Sequence, residues 1–132
     1  MKTLLFVCVH NSGRSQMAEA FFNSLAGGAA TAVSAGTDPA EAVDPAVVEA
    51  MREVGVDISG NRPKALTIEM VEGADRVVTM GCEVDDVCPA ALVETEDWGL
   101  EDPGGKPPDR VREIRDEIRA RVFRMLNEAG FS

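Results

Sequence analysis

At 132 residues the chain has the size of one domain around one well-buried core, and its 45% hydrophobic, 27% charged composition is that of a soluble globular protein. A formal charge of −10 argues against nucleic acid or an anionic membrane surface as a partner. Three cysteines, an odd number, do not make a secreted disulfide framework; they fit reactive thiols in a reducing cytoplasm.

The segment "KTLLFV" (2–7) predicts a short buried strand, and "MKTLLFVCVHNSG" lacks the cleavage site of a signal peptide. Helix formers from Ser15 to about Leu25 predict a helix that ends at Gly27-Gly28. "ATAVSAG" (30–36) reads as a second strand, and a proline-marked loop leads to a helix at about 45–54, stopped by Gly55. "GVDISGNRPKAL" (55–66) has the turn formers of a surface loop, and 67–71 predicts one or two helical turns. "ADRVVTM" (74–80) is a strong third strand, "GCEVDDVCPA" (81–90) is irregular, and "ALVETEDW" (91–98) suggests a fourth strand. After a Gly/Pro-rich loop, Val111, Ile114, Ile118, Val122, Met125 and Leu126 keep helical spacing, with Gly130 beyond their end. Strands alternating with helices predict an α/β fold. The expectation is one domain over residues 1–132, a four-stranded parallel sheet of flavodoxin-like, doubly wound topology with helices on both faces. No stretch reaches the length of a membrane span.

This architecture places Cys8 at the carboxyl end of the first strand, where open α/β sheets bind ligands, with a loop feeding a helix amino terminus. Successive N–H groups of Val9, His10, Asn11, Ser12, Gly13, Arg14 and Ser15 can converge on an oxyanion. Gly13 lends the loop freedom to curl, and Arg14 can grip two anion oxygens. The same donors would stabilise a Cys8 thiolate as nucleophile, with Ser15 beside the sulfur. A lone cysteine at a strand end is as often a buried structural residue, but Cys-x5-Arg-Ser between strand and helix makes that reading the weaker one. His10, the single histidine, serves the loop surface at least as readily as the thiolate, and no His/Cys spacing supports a metal site. Cys82 and Cys88, with five residues between them, fit a disulfide, half a metal site or chance when taken alone.

The segment "CVHNSGRSQMAEAFF" resembles the active-site loop and first helix of the low-molecular-weight phosphotyrosine phosphatase superfamily, and more narrowly its thiol-dependent arsenate reductases. The resemblance continues through "VSAGTDPAEAVDPAVVEAMREVGVDISGNRPKAL", "DRVVTMGCEVDDVCPA" and "DWGLEDPGGKPPDRVREIRDEI". It implies a relay in which Cys8 attacks arsenate, Cys82 attacks Cys8, and Cys88 resolves the bridge to a Cys82–Cys88 disulfide. An external thiol reductant, thioredoxin or a low-molecular-weight thiol, then reduces that disulfide; better-known thioredoxin-coupled members space the two cysteines slightly farther apart. Asp102, before Pro103, matches the family's general acid, with Glu101 a weaker candidate. Phosphate and sulfate would compete with arsenate, and no tightly bound cofactor is implied. Some members carry a potassium ion, for which Asn11, Glu19 and Ser34 match, while Ala65 stands where a carboxylate is expected. The alternatives are a protein-tyrosine phosphatase working through phosphocysteine, and a non-catalytic oxyanion-binding or redox-sensing module. The absence of Tyr and a 5% aromatic content leave few residues to wall a phenyl ring. Trp98 reads as packing.

Overall fold

The computed structural model describes residues 2–28, 30–80, 95–101 and 103–128. Eight elements follow along the chain: β1 (Lys2–Cys8), α1 (Arg14–Ala26), β2 (Ala30–Gly36), α2 (Pro45–Arg52), α3 (Ile68–Gly73), β3 (Arg76–Thr79), β4 (Thr95–Asp97) and α4 (Pro108–Glu128). β2, β1 and β3 form a parallel core, and the three-residue β4 extends it at the β3 edge, giving the order β2-β1-β3-β4. That order places β1 in the interior and makes the β1/β3 boundary the point where successive crossovers leave in opposite directions, the doubly wound arrangement.

β1 is apolar from Leu4 to Cys8 because both its faces are covered there. Leu4, Phe6 and Cys8 point into the larger core with α1, α2 and α4, whereas Leu5 and Val7 join Val71, Ala74 and Val77 on the opposite face. Leu4, Leu5, Phe6 and Val7 are fully buried, each stabilising the fold by about 1.5–3 kcal/mol relative to exposure. Phe6 meets Phe22 edge-on and lies 5.7 Å from the Trp98 ring, so Trp98 packs in the core, with the Arg121 guanidinium 5.9 Å above it.

The helix ends follow local chemistry. Gly27 terminates α1 in the left-handed region at φ 61°, where a glycine carries no Cβ penalty. Asp44 caps α2 by accepting from Ala46 N, with Pro45 supplying the preset φ of the first turn, and the Thr67 side chain accepts from Met70 N to start α3. α4 runs 21 residues and buries Val111, Ile114, Ile118, Val122, Met125 and Leu126 as one stripe. None of the described helices is long and apolar enough to cross a membrane.

Two expectations are refined. The strand expected over 74–80 is Arg76–Thr79, yet its flanks stay paired: Asp75 N donates to Thr3 O and Met80 N to Val7 O. The loop 55–66 is not merely surface. Ile58 is buried, and Ala65 forms an isolated parallel bridge with Gly36, through Gly36 N to Lys64 O and Leu66 N to Gly36 O. This strap brings residues 61–64 against the first loop.

Candidate active site

Cys8 ends β1 in register with Gly36 of β2, at the carboxyl edge of the sheet, and the chain turns from it into α1 within five residues. Where the intervening carbonyls go decides what the loop presents. Cys8 O accepts from Thr37 N, Val9 O from Asp38 N, His10 O from Ala40 N, and Ser12 O from Asp44 N. Asn11 O accepts from Gln16 Nε2. In a planar trans peptide the C=O and the following N–H point in opposite directions. Tying the carbonyls to residues 37–44 therefore turns the amides of Val9, His10, Asn11 and Gly13 away from that segment. The Asn11 amide shows where they face: it donates to Cys8 Sγ at 3.2 Å. A concave row of N–H groups beside a thiol is a site for a tetrahedral oxyanion.

The sulfur has a second partner, Ser15 Oγ, at 2.8 Å. Asn11 Nδ2 donates to Ser15 Oγ at 2.7 Å, which directs the hydroxyl hydrogen toward sulfur. Asn11 is the only described non-glycine residue at positive φ, 51°, and its side-chain bonds hold it there. Its Oδ1 accepts from Lys64 N at 2.8 Å and from Gln16 Nε2 at 3.0 Å. Gln16 is fully buried; its Nε2 also reaches Arg62 O, and its Oε1 accepts from Asn61 Nδ2. The strap of residues 61–64 is thus stitched to the loop and the start of α1 through the amide side chains of Asn11 and Gln16.

Arg14 is buried at the first position of α1 and donates through Nη1 to Leu100 O at 3.0 Å. The guanidinium that would clamp the anion also fastens the segment leading to residues 101–103. Gly13 touches that segment too: a Cβ there would meet Pro103 Cγ at 2.9 Å. Its φ of −146° pairs with ψ −89°, neither helical nor extended, in keeping with the freedom to curl expected of a glycine there. Glycine also leaves room beneath Pro103. Glu101 is engaged with α4: both its oxygens accept from Arg110 at 3.0 Å, and these hydrogen bonds hold its carboxyl below the ordinary glutamate range.

His10 turns outward, its Nδ1 3.0 Å from Asp38 O, and its side chain belongs to the exposed rim. Glu19 and Ser34 lie together, Ser34 Oγ donating to Glu19 Oε1 at 3.1 Å. Cys82, Cys88 and Asp102 lie outside the described residues. Among the described residues no group of three or more His, Cys, Asp and Glu side chains could hold a metal.

Sequence reasoning missed Gln16, Gly36, Asn61 and Lys64. Gly36 had a readable signal, a glycine closing a strand; a Cβ there would meet Val9 O at 2.6 Å, so only glycine lets β2 approach the loop. Gln16, Asn61 and Lys64 act through tertiary contacts that no spacing announces.

Residues 3–130 match the family described as low molecular weight phosphotyrosine protein phosphatase. An arsenate reductase of Brevibacillus brevis is 42% identical over 123 residues, spanning 92% of this chain and 91% of the relative. A solved arsenate reductase in its phosphate-binding state superimposes with a TM-score of 0.85 at 36% identity, over 97% of this chain and 98% of that one. The thioredoxin-dependent arsenate reductase of Corynebacterium glutamicum has a TM-score of 0.83 at 40% identity; 97% of this chain is covered, and it spans 61% of that protein.

Proposed function

The chain belongs to the low molecular weight phosphotyrosine protein phosphatase family, and on that premise we propose that it reduces arsenate to arsenite. The observation that carries the reading is Cys8 Sγ held by the Asn11 amide and Ser15 Oγ at the mouth of a loop whose carbonyls are tied back. The high identity to arsenate reductases over nearly the whole length supports that activity over phosphate-ester hydrolysis. We assign residues 1–132 to one catalytic domain working in the cytoplasm.

The reaction follows from the residues in turn. Arsenate sits on the N–H groups of residues 9–15 with Arg14 across two oxygens. The Cys8 thiolate attacks arsenic, and one oxygen departs as water with a proton from Asp102, forming a thiolate–As(V) adduct. The Cys82 thiolate attacks Cys8 Sγ; the S–As bond breaks, its electron pair passes to arsenic, and arsenite leaves as As(III). Cys88 attacks Cys82 in the Cys8–Cys82 disulfide, freeing the Cys8 thiolate and leaving Cys82–Cys88 oxidised. An external dithiol, thioredoxin, or a low-molecular-weight thiol returns the two electrons. Phosphate and sulfate share the tetrahedral shape and compete for the loop.

Arsenate-dependent NADPH consumption, coupled through thioredoxin and its reductase or through a low-molecular-weight thiol system, tests the reading. Cys8→Ser should abolish turnover. Cys82→Ser and Cys88→Ser should stop multiple turnover while leaving hydrolysis of p-nitrophenyl phosphate at its wild-type level. Brisk phosphotyrosine hydrolysis with no arsenate turnover under any thiol donor would overturn the reductase in favour of a phosphatase.

A further inference from the structure

We propose that Lys64 is a positioning residue whose ammonium is the built-in counter-charge of Glu19, so that the anion loop of this chain is organised without a monovalent cation. The inference rests on the Cys8–Arg14 loop being the oxyanion site. It begins with Glu19, a carboxylate on α1 whose side chain is 16% exposed. A carboxylate so far removed from water requires compensation by hydrogen bonds or by an opposite charge. Two groups supply it: Ser34 Oγ donates to Oε1 at 3.1 Å, and Lys64 Nζ reaches the same oxygen at 3.5 Å.

The residues matched to the family's potassium ion do not fit that ion here. Asn11 Oδ1 has two lone pairs, and Lys64 N and Gln16 Nε2 already occupy both. Glu19 is the one carboxylate of the three candidates, and its charge is matched by the ammonium. A potassium ion would have to displace one amide from Asn11 and add a second positive charge beside a single carboxylate. At Ala65, where a carboxylate would complete a cation site, the chain has a methyl group; the residue before it carries the cation covalently.

Lys64 also links the three parts of the loop's support. Its N–H holds Asn11 Oδ1, its carbonyl accepts from Gly36 N at the end of β2, and its ammonium reaches Glu19 on α1. Asn11 in turn directs Ser15 Oγ to the Cys8 sulfur. Loss of the ammonium releases one anchor of the residue that fixes Asn11, so anion affinity should respond although Lys64 reaches Cys8 only through Asn11 and Ser15. Its side chain is 40% exposed, which keeps the effect modest, about two- to fivefold in affinity for a partly screened pair.

The experiment measures protection of Cys8 from iodoacetamide by inorganic phosphate in the full chain, with Cys8 alkylation read by peptide mass spectrometry. It is run at constant ionic strength in potassium, sodium and tetramethylammonium chloride. The wild type should give one phosphate Kd, within twofold, in all three salts. Lys64→Met should weaken that Kd about two- to fivefold in tetramethylammonium, while Lys64→Arg, which keeps the charge, should bind as the wild type does. A wild-type Kd several-fold tighter in potassium than in tetramethylammonium overturns the proposal, as does a Lys64→Met protein equal to wild type or a Lys64→Arg protein as weak as Lys64→Met. If phosphate protects Cys8 in no variant and no salt, the oxyanion-site reading itself has failed, a distinct result.

Discussion

Replacing Gly36 with alanine tests whether β2 presses the anion loop into its shape. The added Cβ would lie 2.6 Å from Val9 O and 3.0 Å from both Asn11 N and Asn11 Cβ. Ordinary contact begins at 3.4 Å, so the shortest approach is about 0.8 Å too close. Two of these atoms are backbone and the third is bonded to it, so no side-chain rotation relieves the clash. Gly36 has no positive φ, which means the variant tests proximity and not handedness. Overpacking of this kind costs about 1–3 kcal/mol, equivalent to a fall in Tm of about 3–10 °C for a chain of this size. Relaxation has two routes. Either β2 withdraws, loosening Thr37 N from Cys8 O and Gly36 N from Lys64 O, or the loop rotates and pulls Val9 O off Asp38 N. Both swing amides away from Cys8, so phosphate affinity should weaken about 5- to 150-fold if the same 1–3 kcal/mol is felt at the anion. Differential scanning fluorimetry and calorimetric titration with phosphate measure the two effects. Gly73→Ala, where an added Cβ meets nothing within 4 Å, is the control and should keep phosphate affinity unchanged. A Gly36→Ala protein that binds phosphate within twofold of wild type refutes the claim that contact with β2 is what presents the amides.

Gly13→Ala should push Pro103 from its seat and, if Asp102 is the acid proposed above, slow arsenate turnover about 3- to 30-fold, with Cys8 alkylation near the wild-type rate; equal losses in both assays would place the damage in the loop instead. Ser15→Ala removes the hydroxyl 2.8 Å from Cys8 Sγ and strands Asn11 Nδ2, so iodoacetamide should alkylate Cys8 several-fold more slowly at neutral pH, at about 1 kcal/mol per lost bond. Glu53 accepts from Arg112 and Arg115 of α4, and those hydrogen bonds, Arg112's foremost, hold its carboxyl below the ordinary glutamate range. A lowered carboxyl contributes stability above the unfolded-state value and loses it as pH falls through the folded one. Thermal scans should therefore show Tm falling below about pH 4.3, more steeply in wild type than in Glu53→Gln.

How much of this was legible in the sequence depends on the range over which each feature is encoded. β1, β2 and α4 are written in local pattern: a continuous apolar run, a short strand closed by glycine, and a stripe at helical spacing that the structure buries at the same six positions. Cys8 at the strand end and Arg14 at the helix start follow from one contiguous motif, and the structure places them there. The strap at 61–66 was illegible because its turn-forming composition is that of a surface loop; a bridge to Gly36 and a buried glutamine 45 residues away make it part of the site. The second demand on Gly13 was hidden for a related reason: glycine in a sequence can signal unusual dihedrals, close approach or both, and only the fold brings Pro103 against it.

The arrangement around Cys8 meets requirements that a phosphatase and a reductase share up to one point. Both need a thiolate, a row of amides and an arginine to lower the barrier to attack on a tetrahedral centre, and both need a proton for the departing oxygen. They part once the covalent adduct exists. A phosphocysteine is consumed by water attacking phosphorus, which leaves sulfur at its original oxidation level. An arsenic adduct can instead be attacked at sulfur, because As(V) accepts the electron pair of the breaking S–As bond and phosphorus(V) does not. The distinction therefore lies in whether a second thiolate reaches Cys8 Sγ before water reaches the arsenic. The hydrogen bonds from Asn11 N and Ser15 Oγ serve either reaction, since each stabilises the Cys8 thiolate, both as it attacks and as it is released, from phosphorus in one case and from the Cys8–Cys82 disulfide in the other. Removing Cys82 should consequently convert a multiple-turnover reductase into a protein that still cleaves phosphate esters at Cys8 but accumulates no arsenite. Loss of phosphatase activity along with arsenite formation in Cys82→Ser would show that residue 82 supports the anion loop itself, and the division between a shared attack and a separate thiol step would fall.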